Sequence, residues 1–243
     1  MDGAQGDMQN QMMGYDRAAT MFSPEGHLLQ VEYAEKTVRL GSASMGFVCS
    51  DGVLILADKR ITDSLIIPDS ANKIYEIDSH IMGTAAGILS DARILIQRAQ
   101  LIAQQHRVTY DSPVEVVSVV KDLSDIKQQY TQHPGVRPFG ISLMIAGVDN
   151  RSRVYMSDIT GNYFEYYATA IGENDEKIKE LLRKEYKPCM KIDEALKVGL
   201  NIFKEIKGKG FNSDNFDAAY VLSSDEKKKV YRLNGDKLKK HVK

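Results

Sequence analysis

The sequence predicts an α+β domain in which layers of helices lie outside stacked antiparallel sheets. Three observations lead there. The hydrophobic period changes in blocks along the chain: strands, a helix pair, strands, a second helix pair, strands. Tight-turn signals such as Asp51-Gly52 and Asp149-Asn150 join the strands, so neighbouring strands run antiparallel. No linker composition or internal repeat divides the 243 residues, and 43% of them are apolar, enough for one substantial core.

Residues 1–14 are Gly, Gln, Met and Asp without an apolar period, a composition expected to be mobile until a partner holds it. Phe22-Ser23-Pro24-Glu25-Gly26 follows as a turn, with Pro24 presetting φ and Gly26 free to take a positive φ. A helix is predicted over residues 27–39, where Val31, Ala34 and Val38 repeat at helical spacing and Gly41 stops the pattern. Residues 42–49, 53–57, 74–77 and 81–86 read as strands. Leu95, Ala99 and Ile102 share one face of the next helix. Its partner is expected to start with Ser112 as N-cap, Pro113 at the first helical position and Glu115 completing a capping box. Strands return at 141–146, 153–157 and 163–167. Helices over 173–186 and 192–206 are separated at Pro188, and strands at 216–222 and 229–233 close the pattern. The charged tail DKLKKHVK suggests a short final helix.

A net charge of −1 gives no electrostatic basis for nucleic acid as a partner. No apolar run has the length of a membrane span, and the N-terminus lacks the basic and apolar regions of a signal peptide. Cys49 and Cys189 make no disulfide framework and no metal spacing; both read as buried free thiols in a reducing cytoplasm.

Most chemical motifs fail on inspection. Gly41-Ser42-Ala43-Ser44-Met45-Gly46 has phosphate-loop glycine spacing, but Phe47 stands where a lysine is needed and a strand follows instead of a helix. Gly140-Ile141-Ser142 lacks the second glycine of a nucleophile elbow. The histidines at 27, 80, 106, 133 and 241 have no paired spacing and read as separate surface or loop residues, so neither a metal site nor a cofactor is expected. Asn150-Arg151-Ser152 is read as turn chemistry. One constellation is more suggestive: Ser42, Asp58 at a strand end and Lys73 at a strand start are the residue types of an N-terminal-nucleophile peptidase. Ser42, however, has no free amine unless 41 residues are removed, so no catalytic residue is assigned.

The stretch YDRAATMFSPEGHLLQVEYA from Tyr15 to Ala34 resembles the N-terminal signature of proteasome alpha subunits. Further landmarks are similar in the same order: Asn72-Lys73-Ile74-Tyr75, Ala86-Gly87-Ile88-Leu89-Ser90-Asp91-Ala92-Arg93, Gly135-Val136-Arg137-Pro138-Phe139-Gly140 and Ala168-Thr169-Ala170-Ile171-Gly172. The short YDRA start looks archaeal. The resemblance implies a four-layer αββα sandwich of the N-terminal-nucleophile hydrolase type with an extra N-terminal helix. It divides the chain into a gate segment and turn, 1–26, and one domain, 27–243.

By the same resemblance the chain is a non-catalytic subunit of a seven-membered alpha ring. That ring stacks on beta subunits, bears the gated entry pore and receives the C-terminal tails of ATPase activators. Tyr15, Asp16, Arg17, Pro24 and Tyr33 then belong to the gate cluster. Glu32, Gly41, Lys73 and Ile88 belong to the activator pocket, and His133, Pro134, Gly135 and Val136 to the pore loop. His27, Glu35 and Pro134 depart from the family's usual basic residue, arginine and glycine. The alternatives are a catalytic beta-type subunit with a long propeptide, or a peptide-binding adaptor that forms no ring.

Overall fold

The computed structural model describes residues 13–61, 63, 65–234 and 238. In chain order these form α1 (Leu29–Leu40), β1 (Ser44–Cys49), β2 (Gly52–Asp58), β3 (Ile74–Asp78), β4 (Ile81–Gly87), α2 (Leu89–Tyr110) and α3 (Val116–Gln132). Then come β5 (Ile141–Val148), β6 (Ser152–Ser157), β7 (Tyr163–Glu165), β8 (Ala168–Ile171), α4 (Asp175–Glu185), α5 (Ile192–Lys207), β9 (Phe216–Leu222) and β10 (Val230–Asn234). The strands make two antiparallel sheets ordered β10-β9-β2-β1-β8 and β3-β4-β5-β6-β7.

Strands β2 and β5 are buried along their whole length, because each faces a helix layer on one side and the other sheet on the opposite side. The period of two sorts their side chains. Val53, Ile55 and Ala57 meet Met144 and Ala146 between the sheets. Leu54 and Leu56 point the other way, onto Leu196, Leu200 and Phe203 of α5. Leu143 and Ile145 face Leu95 and Ala99 of α2 and Val120 of α3. The result is a four-layer αββα sandwich, with α1 lying across one end against β4 and β5.

Several sequence expectations need correction. Helix α3 starts at Val116 rather than Pro113, and Glu115 at its N-cap makes no side-chain cap. Val114 instead sinks into the core, and its carbonyl accepts from His80 Nε2 at 2.8 Å. The first helical N–H, of Val116, finds Asp149 Oδ2 across the chain at 3.3 Å. His80 is therefore buried, not a surface histidine. Residues 163–167 are not one strand: β7 pairs with β6, and the unanticipated β8 crosses to pair with β1 in the other sheet. In the first hairpin Cys49 pairs with Gly52, so the two loop residues are Ser50 and Asp51. Cys49 is buried and its thiol is pushed up to about 12 by burial and then by Asp51, but Cys189 is exposed beside Pro188. The expected helix in the tail, and His241, lie outside the described residues apart from Leu238, which is buried in the core under α5.

Lys127 of α3 is fully buried. Its Nζ donates to the Ser157 carbonyl at 3.1 Å and to Ser157 Oγ at 3.2 Å. Burial lowers its pKa to about 7, with Asp158 partly opposing the fall. An unfolded lysine stays protonated to about pH 10. Between these values the unfolded chain binds a proton that the folded chain lacks, so stability rises with pH from about 7 to about 10 and is level below 7, where both states hold the proton. Lys127→Met is expected to raise the melting temperature near pH 7 and to flatten its rise between pH 7 and 9. Thermal melts of both chains across that range test this, and parallel pH profiles refute it.

Candidate functional site

The N-terminal approach to α1 is a built turn. Ser23 N–H donates to the His27 carbonyl and Gly26 N–H to the Ser23 carbonyl, both at 2.9 Å, while Gly26 takes φ +84°. Pro24 sits exposed in this turn, as the sequence predicted. Upstream, Arg17 N–H donates to the Gly14 carbonyl at 3.1 Å, and Gln30 Nε2 of α1 donates to the Asp16 carbonyl at 2.5 Å. Asp16 is thereby tied to the helix that bears Tyr33, whose ring lies 5.1 Å from Lys36 Nζ. Among the described residues, Asp16 Oδ1 is buried and has no hydrogen-bond partner. Glu32, on the same helix, is engaged by His27 Nδ1 at 2.5 Å.

The end of α1 leads to a tightly constrained part of the molecule. A Cβ on Gly41 would stand 2.3 Å from the Gly87 nitrogen, so only glycine permits this approach. The Gly41 carbonyl accepts from Glu173 N–H at 2.8 Å, and Thr37 Oγ1 donates to the Gly140 carbonyl at 3.0 Å. Ile88, at the N-cap of α2, donates its N–H to the same Gly140 carbonyl at 3.0 Å.

Lys73 is 4% exposed, not a solvated strand-start lysine. Its Nζ contacts Ser42 Oγ at 2.7 Å, the Ser42 carbonyl, and the Ala43 carbonyl at 3.4 Å. Burial lowers its pKa to about 7; Asp58 acts against the fall, while Arg60 and Lys207 add to it. Asp58 is buried at the end of β2. It accepts from Arg60 N–H at 3.0 Å and from Lys207 Nζ, and its N–H donates to the Ala43 carbonyl at 3.0 Å. Arg60 has φ +46°, and its guanidinium reaches the Leu40 carbonyl at 3.1 Å and Glu173. The fold thus gathers Ser42, Asp58 and Lys73, which sequence reasoning had grouped by residue type and then set aside. Gly41, Ile88 and Lys73 come to the same end of the sandwich, whereas Glu32 is turned toward His27.

The loop after α3 is the third candidate region. His133 ends the helix, its N–H on the Gln129 carbonyl at 3.1 Å; Gly135 takes φ +86°; His133, Pro134, Gly135 and Val136 are all exposed. The loop returns through Arg137, whose guanidinium forks onto Asp91 at 2.6 and 2.7 Å. Burial opposes ionisation of Asp91, but Arg137 and the Gly140 N–H outweigh it, so the carboxyl lies below its ordinary range. Sequence reasoning missed the Asp91–Arg137, Asp58–Lys207 and Arg60–Glu173 pairs. Each links residues at least 46 positions apart, and no local spacing announces such a contact.

Comparison with known proteins decides the family. A model described as proteasome subunit matches residues 38–221, and one for the N-terminal signature of the proteasome A subunit matches residues 15–36. This chain belongs to the proteasome subunit family. The signature covers the Asp16 anchor, the Ser23–His27 turn and the first two turns of α1, the region whose contacts are described above. The proteasome alpha subunit of Archaeoglobus fulgidus is 43% identical over 230 residues, 95% of this chain and 93% of its own. Those of Methanocaldococcus jannaschii and Pyrococcus horikoshii are 44% and 40% identical, over 87% and 94% of this chain and 81% and 87% of theirs. The sandwich of this proteasome subunit is accordingly of the N-terminal-nucleophile hydrolase type.

Gly41→Ala is expected to destabilise this proteasome subunit by about 1–3 kcal/mol, the range for overpacking a filled site. The added methyl must displace backbone at Gly87 rather than a flexible side chain. Urea unfolding of both chains measures this, and an unchanged midpoint would show that α1 is not held at Gly41.

Proposed function

We propose that this chain is a non-catalytic alpha-ring subunit of a 20S proteasome core particle, forming the gated substrate entry and docking ATPase activators. The observation carrying this reading is the unbroken run from the N-terminal signature through α1 into Ser42. It puts the Ser42 nitrogen in a peptide bond, where an N-terminal nucleophile would need a free amine. The archaeal relatives, each named as the alpha subunit of a proteasome, support the same assignment. The working unit is a gate segment, 1–26, on a single domain, 27–243, in the cytoplasm. Its partners are six further alpha subunits, the beta ring and activator tails.

The gate reading has a physical support in Asp16. Its carbonyl is anchored to Gln30 while one buried carboxylate oxygen lacks a partner among the described residues, a deficit that a hydrogen bond from the neighbouring subunit would remove. Tyr15, Arg17, Pro24 and Tyr33 complete the proposed cluster, and the exposed loop His133–Val136 is the proposed pore lining. In the proposed pocket of Glu32, Gly41, Lys73 and Ile88, a tail carboxylate would replace Ser42 Oγ on the Lys73 amine and draw it into its charged form.

Electron microscopy of the purified chain is expected to show seven-fold rings. Monomers or small oligomers at micromolar concentration would favour the adaptor reading. In rings joined to beta subunits, Asp16→Ala should lower activator-stimulated peptide hydrolysis and leave assembly intact. Lys73→Ala should weaken tail binding tenfold to hundredfold, since losing a charge-assisted contact costs about 1.5–3 kcal/mol. Undiminished stimulation in either variant removes that residue from the mechanism.

A further inference from the structure

We propose that the aromatic edge where β7 crosses to β8 receives the Leu65–Ile67 loop of the next copy of this chain, joining subunits edge to edge. The inference rests on the ring-subunit reading and names the two surfaces that would meet.

Sheet order places these surfaces on opposite sides. β3 and β7 are the outer strands of one sheet, β10 and β8 those of the other. β3 packs near β9 and β6 near β1, so β3 and β10 share one side of the sandwich and β7 and β8 share the other. Four strand spacings of about 4.8 Å, roughly 19 Å, lie between them. A closed ring of identical chains is joined head to tail, so each subunit needs two different patches that fit one another.

The first patch lies on the way into β3. Leu65, Ile66 and Ile67 are exposed in succession, at 88%, 41% and 70%. The loop is built from within the chain: Leu65 N–H donates to Asp63 Oδ1 at 2.8 Å, Ile66 N–H to the Asp63 carbonyl at 3.2 Å, and Ser70 N–H to the Ile67 carbonyl at 2.9 Å. Consecutive exposed aliphatic side chains on such a loop add nothing to the chain's own core and mark a contact surface.

The second patch is a rigid platform. Tyr166 N–H donates to the Val154 carbonyl of β6 at 2.8 Å, and Val48 N–H of β1 donates to the Tyr167 carbonyl at 2.7 Å, so both sheets hold the crossover backbone. Phe164 and Tyr167 are 62% and 71% exposed. The Tyr186 hydroxyl donates to the Val48 carbonyl at 2.9 Å, which fixes its ring 6.5 Å from that of Tyr167. These two rings, with Ala168 and Leu182, line a cavity of about 310 Å³. Fixed aromatic walls around an apolar hollow make an anchor pocket, and aliphatic side chains fill it. Charge agrees: Asp63 is exposed beside the loop, and Arg183 is exposed on the cavity rim. The other rim charges are engaged already, Lys179 by Asp175 and Glu165 by Arg151.

The test uses the full chain with benzoylphenylalanine at Leu65, assembled from equal parts of ordinary and heavy-nitrogen chains. Illumination and peptide mapping should give isotopically mixed cross-links, which join only different chains, to residues 163–186. Mixed cross-links to residues 59–73, or to neither segment, overturn the proposal. Where the same sample shows seven-fold rings by electron microscopy, that failure leaves the ring-subunit reading standing; without rings both fall. Tyr167→Asp should weaken association between neighbours at least about tenfold, because an interface anchor is lost, while its exposed position leaves the circular dichroism of the chain unchanged. Rings assembled by Tyr167→Asp as readily as by the wild type overturn the assigned pocket, and the cross-link map decides the matter should the variant misfold.

Discussion

Backbone packs on backbone where Gly41 meets Gly87, leaving no room for even a methyl group. Helix α1 has no side-chain cap at its start and buries only Leu29, Val31 and Val38, so its place across the end of the sandwich depends heavily on its last residues. From that contact the rest of the functional end follows. Ser42 is delivered to Lys73, the Gly41 carbonyl receives Glu173, and Thr37 and Ile88 converge on the Gly140 carbonyl. Gly140 in turn donates to Asp91, which holds Arg137 at the root of the exposed loop. One close approach therefore connects the N-terminal turn, the Lys73 site and the loop after α3.

Two lysines, both with pKa lowered to about 7, show how burial is used differently in one sandwich. Lys127 lies under α3 and donates to Ser157, which ties the helix to β6. Lys73 lies at the sheet end among charges of both signs, beside a half-buried hydroxyl and a cavity. Desolvation dominates in each case, since an ammonium loses hydration that two or three dipoles restore only in part.

Much of the fold was legible because the period of two sorts β2 and β5 onto two buried faces and the amphipathic helices expose their own stripes. The Ser23–His27 turn was legible from Pro24 and Gly26. What misled was local chemistry outweighed by distant contacts. The Ser112, Pro113 and Glu115 pattern is a sound helix start in isolation, but burying Val114 and capping Val116 with Asp149 stabilise a later one. Strand β8 was missed because four residues, Ala168–Ile171, carry too little alternation to be seen without β1 beside them.

By itself the sequence determined the layered α+β architecture, the N-terminal turn and helix, and the residue types at Ser42, Asp58 and Lys73. Those depend on neighbours a few positions away, through backbone preference and hydrophobic period. Only the tertiary structure decided that Lys73 is buried on Ser42, that Asp58 is held by Lys207, 149 residues later, and that Arg137 clasps Asp91. Such pairings are set by how two sheets and their helices stack, and chain order places no constraint on which side chains meet there.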